Sequence, residues 1–152
     1  MATLKDLLLS ETKRPLVVED SVRVINEEVE SKGGLSGMVI KTAFKVVKAV
    51  KTGIIKESVE ALLDDFVARL EPHYENYQAG LQNQAGPAGI EKYVTANAPV
   101  LADALLGITD ARAKKSTNRA LKGAYEKLRP EGKRQVEAAM PRIGRMLAKH
   151  GA

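Results

Sequence analysis

Two histidines, His73 and His150, are the only imidazoles in the chain, and there is no cysteine. The lack of thiols excludes disulfides, thiolate metal sites, iron–sulfur clusters and a cysteine nucleophile, and it is compatible with a reducing compartment. A helical di-iron centre needs a Glu-x-x-His motif twice, and neither histidine stands in that spacing. One histidine follows Pro72 and the other lies near the C-terminus. Both read as solvated surface groups.

Paired carboxylates occur at Glu27-Glu28 and Asp64-Asp65. General acid–base work needs two carboxyl groups converging in a pocket with their pKa values driven apart. Sequence neighbours on a helix diverge by about 100°, so these pairs are expected on solvated faces. No serine sits in a Gly-x-Ser-x-Gly elbow. The stretch Gly33-Gly34-Leu35-Ser36-Gly37 precedes a helix, where free N–H groups can attract an anion. It lacks the P-loop spacing and follows a helix instead of a strand. It therefore reads as a helix stop, a turn and an N-cap at Ser36. No catalytic, cofactor-binding or metal-binding set emerges, and the expectation is a protein that is not an enzyme and needs no cofactor.

What remains is charge. Lys41, Lys45 and Lys48 share a helical face, and a second group is formed by Arg119, Lys122, Lys127 and Arg129, with Arg112, Lys114 and Lys115 just before it. These ten cations are the candidate contacts for an anion or a nucleic-acid backbone, where bound counterions would be released. The chain is uneven as a whole. Residues 1 to 32 carry five basic and seven acidic side chains, whereas residues 112 to 149 carry twelve and three. With two phenylalanines, four tyrosines and no tryptophan, no aromatic platform for stacking single strands is evident.

The elements that must position these groups are helical. A short helix capped by Thr3 carries Leu4, Leu7 and Leu8, with its end expected near Thr12 because Pro15 restricts the residue before it. Pro15 suits the start of a second helix, in which Val18, Val22, Ile25 and Val29 recur at helical spacing until Gly33. Ile40, Ala43, Phe44, Val47 and Val50 mark a third over residues 37 to 51, although its valines also permit a strand. After Thr52-Gly53, Val59, Leu62, Leu63, Phe66 and Leu70 mark a fourth, to be kinked or ended by Pro72. Residues 80 to 89, rich in glycine, read as a linker. Beyond it come Ile90, Tyr93 and Val94, then a helix opened by Pro99. A third then begins near Thr117, and Pro130 is expected to separate it from a fourth carrying Val136, Met140, Ile143 and Leu147 and bent at Pro141.

The two series match. Ile40-Lys41-Thr42-Ala43-Phe44 aligns with Leu121-Lys122-Gly123-Ala124-Tyr125, and Lys56-Glu57-Ser58-Val59-Glu60-Ala61 with Lys133-Arg134-Gln135-Val136-Glu137-Ala138. The offset falls from 86 to 84, 81 and 77 along the chain, each step in an expected connection. The reading is an internal duplication, with half-repeats 1–79 and 88–152 forming one all-α domain of about eight helices around a common core. The second copy is poor in β-branched residues, which favours helix over strand at residues 37 to 51.

The stretches 31 to 37 (Ser-Lys-Gly-Gly-Leu-Ser-Gly), 62 to 72 (Leu-Leu-Asp-Asp-Phe-Val-Ala-Arg-Leu-Glu-Pro), 108 to 113 (Ile-Thr-Asp-Ala-Arg-Ala) and 124 to 130 (Ala-Tyr-Glu-Lys-Leu-Arg-Pro) carry a resemblance. They resemble an uncharacterised bacterial domain-of-unknown-function family, and the likeness covers most of the chain. It implies a bacterial origin and lends no activity.

No signal peptide is recognisable, since Lys5, Asp6 and Glu11 interrupt the first apolar run. Nothing approaches the roughly 18 consecutive apolar residues of a membrane span, so the cytoplasm is the expected location. The functional expectation is a non-enzymatic binding or interaction protein with a protein partner or itself. The alternatives are nucleic-acid association through the basic faces, or an apolar small molecule or lipid held between the halves near Met38, Phe44, Phe66, Tyr125 and Met140.

Overall fold

The computed structural model describes residues 2–82 and 89–152. Among them are seven α-helices: α1 (Leu4–Leu8), α2 (Arg14–Ser31), α3 (Gly34–Val50), α4 (Ile54–Gln82), α5 (Ile90–Ala96), α6 (Ala98–Lys115) and α7 (Arg119–Lys149). No strand occurs among the described residues.

Several helix starts have a local cause. At α1, Thr3 and Asp6 form a reciprocal cap, the Thr3 hydroxyl accepting from the Asp6 N–H at 3.0 Å and the Thr3 N–H donating to Asp6 at 3.1 Å. A five-residue helix is too short to hold itself. The carboxylate of Glu71, on α4, accepts from the N–H groups of Leu4 at 2.9 Å and Lys5 at 3.1 Å. Helices α2 and α6 both open with proline in the first turn, where its missing N–H has no partner to lose. The N-cap of α3 is Gly33, not Ser36, so this helix begins three residues earlier than its sequence pattern suggests. The turn from α2 into α3 is tight. Gly34 takes a φ of 68°, and a Cβ on Gly37 would lie 2.7 Å from the backbone carbon of Lys32.

The eight expected helices are seven because Pro130 does not end one. α7 runs through Pro130 and Pro141, and α4 runs through Pro72 to Gln82. Pro72 and Pro130 are exposed. A proline deprives the carbonyl four residues earlier of its partner, and on a wet face water satisfies that carbonyl so that the helix continues. The linker expected over 80–89 is also shorter at its start, since Gly80, Leu81 and Gln82 belong to α4. Residues 83–88 lie outside the described residues, and Gly89, with a φ of 95°, precedes α5.

One apolar core joins both parts of the chain. Leu4, Leu8, Val17, Val18, Val59, Leu63 and Val67 pack with Ile90, Val94, Leu101, Ala102, Met140 and Leu147. Each buried valine, leucine, isoleucine or methionine stabilises the fold by roughly 1.5 to 3 kcal/mol. Tyrosines extend this core towards the end of α4, with the Tyr77 ring 5.9 Å from that of Tyr74 and 5.3 Å from that of Tyr93. α7 is the common support, packing against α2, α3, α5 and α6. Its crossing with α5 is so close that a Cβ on Gly144 would stand 2.6 Å from the Cα of Glu91. α3 buries Ile40 and Ala43 but adds no residue to the main core.

Candidate functional site

A concavity of about 1060 Å³ lies between α4 and α6, with the end of α3 and the start of α7 at its sides. Along it α4 presents a row of small or short side chains, Ser58, Ala61, Asp65, Ala68 and Pro72, which recur at intervals of three or four residues and are mostly exposed. Opposite them α6 ends in Ile108, Ala111 and Ala113. Val47 and Val50 of α3, Ile54 and Leu62 of α4 and Leu121 and Leu128 of α7 complete an aliphatic floor.

The rim is cationic. Lys51, Arg69, Arg112, Lys115 and Lys122 line it, against two carboxylates, Glu57 and Asp65. Lys51 bonds Glu57 at 2.8 Å, and that hydrogen bond and charge, with Arg112 adding its field, hold the Glu57 carboxyl below its ordinary range. Among the described residues, Arg69, Arg112, Lys115 and Lys122 have no carboxylate within 4 Å. The Arg69 guanidinium lies against Gly107, which has no side chain to obstruct it.

One wall carries a polar cluster. Arg129 grips the Asp110 carboxylate with two hydrogen bonds, at 2.9 and 3.1 Å. The Tyr125 hydroxyl also donates to Asp110 and lies 2.9 Å from the Thr109 hydroxyl. Arg129 first and Tyr125 second keep Asp110 ionised below its usual range, while burial and then the neighbouring carboxylate push the Tyr125 phenol up. These groups are engaged with one another, and the phenol, with its pKa raised, stays neutral.

The ten cations singled out from the sequence are dispersed. Arg112, Lys115 and Lys122 stand on the cleft; Lys114, Arg119 and Lys127 are exposed elsewhere on α6 and α7; Arg129 is occupied by Asp110; and Lys41, Lys45 and Lys48 lie on the outer face of α3. Of the five side chains expected to line a pocket, only Tyr125 does. Met140 is buried in the core and Met38 is 65% exposed on the outside of α3. Lys51, Arg69 and the short side chains of α4 were not foreseen, although the spacing of Ser58, Ala61, Asp65 and Ala68 was a readable signal.

His150 is not a solvated tail group. It is 4% exposed, and its Nε2 lies 2.7 Å from Asp20 of α2, which is 7% exposed. Lys149 and Arg23 also bond this carboxylate, at 3.0 and 3.2 Å. Burial alone pushes Asp20 up, but the hydrogen bonds from Lys149 and His150 with their charges prevail and hold it low. Glu27 and Glu28 are not both idle on a solvated face either. They hold Arg142 of α7 at 2.8 and 2.7 Å, with Lys32 3.0 Å from Glu28. His73 is half-buried, Asp64 pairs with Arg14 at 2.8 Å, and Asp65 faces the cleft.

A family model matches residues 4–151, from the first residue of α1 to just beyond α7. The chain belongs to DUF6918, a family of unknown function. The match covers every helix that frames the cleft. Neither the curated proteins nor the solved structures contain a match. Among the described residues no group of three or more histidine, aspartate or glutamate side chains is placed to hold a metal ion, and no helix is long and apolar enough to cross a membrane.

Proposed function

We propose that this chain is a non-enzymatic binding protein whose cleft takes an amphipathic organic anion, an aliphatic body carrying one carboxylate or phosphate. The observation that carries the reading is the cleft itself, an aliphatic floor in about 1060 Å³ under a rim on which four cations, Arg69, Arg112, Lys115 and Lys122, have no carboxylate partner among the described residues. Ligand sites are mostly apolar concavities with a few placed polar groups, and Arg69 and Arg112 supply forks suited to a terminal oxyanion.

A duplication of the chain would account for the cleft being where it is. In that reading α1 and α5 correspond, as do α2 and α6, both 18 residues long. α7 is then the fused counterpart of α3 and α4. The contact of α2 with the second part of α7 then corresponds to that of α6 with α4. The first is locked by Asp20 with His150 and by Glu28 with Arg142. At the same offsets the second has Ala104, His73, Arg112 and Asp65. In that reading an alanine, Ala104, stands where the locking carboxylate would be, and among the described residues no such lock holds α6 to α4.

The test is thermal unfolding with oleate below its aggregation threshold, and with oleyl alcohol as the uncharged control. A ligand at about a hundred times its Kd stabilises by about 2.7 kcal/mol, which for a chain of this size raises Tm by roughly 5 to 10 °C. Oleate is expected to give such a rise and the alcohol much less. Ala61→Trp, which fills the floor, should abolish the response. No rise with oleate, or a rise unaffected by Ala61→Trp, rejects the reading.

A further inference from the structure

The outward side of α3 carries most of the exposed large hydrophobic side chains among the described residues. Seven large hydrophobic side chains are exposed among the described residues, and four of them, Leu35 (83%), Met38 (65%), Val39 and Val46, lie on this one helix. Leu35, Val39, Thr42, Val46 and Ala49 follow one another at intervals of four and three and so form a continuous row along the helix. Beside it runs a second row at the same intervals, Lys41, Lys45 and Lys48, with Met38 between the two. All three lysines are exposed, and α3 contains no aspartate or glutamate. Ile40 and Ala43 anchor the opposite side, so the helix is held in place with its apolar row outward. Neither row lines the cleft.

We propose that α3 is a docking surface for an anionic lipid bilayer, lying in the headgroup plane with its aliphatic row towards the acyl chains and its lysines on the lipid phosphates. Two rows of this kind, one apolar and one cationic, are what an interfacial helix requires, and lysine stems reach past apolar surface to place their charge at the headgroups. A second copy of the chain fits poorly. Two α3 helices packed antiparallel would set lysine row against lysine row, and packed parallel they would set each lysine row against an apolar row, with no carboxylate on either helix to meet the charge. A polyanion such as DNA would meet the lysines but leave Leu35, Val39 and Val46 without a role. The proposal is independent of what the cleft binds.

Because the chain has no tryptophan, Val39→Trp places a single reporter in the apolar row and Val100→Trp places one at an exposed control position on α6. The full-length variants are titrated at low ionic strength with vesicles of phosphatidylcholine, and with vesicles in which phosphatidylglycerol makes up about a third of the lipid. Emission from Val39→Trp is expected to shift to the blue with the anionic vesicles alone, and Val100→Trp to stay unchanged. In vesicle flotation, Lys41→Gln/Lys45→Gln should weaken binding roughly tenfold or more, and Leu35→Gln/Val46→Gln should weaken it comparably, with far-ultraviolet circular dichroism unchanged because all four positions are exposed. The proposal is overturned by any of three results: no flotation with anionic vesicles; flotation lost with the lysines but indifferent to Leu35→Gln/Val46→Gln, which leaves a plain polyanion site that duplex DNA would also fill; or a dimer that Leu35→Gln/Val46→Gln dissociates while vesicles stay unbound.

Discussion

His150 meets Asp20 at 2.7 Å inside the protein although 130 residues separate them in sequence. The contact ties the end of α7 to the first half of α2 and leaves both partners almost without solvent. A buried carboxylate is tolerated only with its hydrogen bonds made, and here His150, Lys149 and Arg23 make them.

Removing the carboxylate is therefore expected to cost more than its small size suggests. Asp20→Ala should lower the free energy of unfolding by about 3 kcal/mol, measured by urea denaturation at neutral pH. Asp20 and Asp110 both have carboxyl groups held below their ordinary range. Their contribution is complete above the unfolded-state value of about 4 and is lost as acid carries the pH down through the lower folded-state values. The midpoint of the native protein should thus fall steeply below about pH 4, and that of Asp20→Ala should fall less. A variant as stable as the native chain, with the same acid limb, would remove the pairing from the account of stability.

Two glycines of α7 should respond to alanine with opposite signs. At Gly144 a Cβ meets the α5 backbone at 2.6 Å, whereas at Gly123 nothing lies within 4 Å. Gly144→Ala should destabilise by about 1 to 3 kcal/mol through overpacking, and Gly123→Ala should stabilise by about 0.5 to 1 kcal/mol because glycine is a poor helix former. Denaturant midpoints of the two variants provide the check, and equal signs would contradict the close crossing of α5 and α7.

Arg142 bridges two carboxylates, one of which, Glu28, has a side chain only 14% exposed. Arg134 and Glu131 form a pair on the open surface of α7. Arg142→Ala is expected to cost about 1 to 2 kcal/mol, and Arg134→Ala no more than about 0.5 kcal/mol. A double-mutant cycle of Arg142 with Glu28 measures the coupling directly, and a value near zero would show the bridge to be incidental.

Local features of the fold were legible because their causes are local. The prolines that open α2 and α6, the Thr3 cap and the apolar rows of α1 and α5 announce themselves by residue type and spacing. Pro130 misled because a proline's effect depends on whether the orphaned carbonyl faces water, and its neighbours do not reveal that. His150 misled for a different reason. Periodicity assigns a residue to a face but does not name its partner, and Asp20 lies on another helix. The cleft escaped notice because attention to bulky residues finds what fills space, whereas Ala61, Ala68 and Ser58 mark where space is left. The lysine row of α3 was legible from its spacing, but whether basic residues of different helices share a surface is decided by how the helices pack.

The reliance of the first helices on α7 has a bearing on how the molecule comes apart. α2 and α3 lean on a helix that is synthesised well after them, and α1 borrows hydrogen-bond acceptors from α4. Cleavage anywhere along α7 would strip packing from elements more than a hundred residues upstream. Calorimetry should accordingly record a single heat-absorption peak, and a protease that nicks α7 should release fragments that are digested throughout, with no resistant remnant.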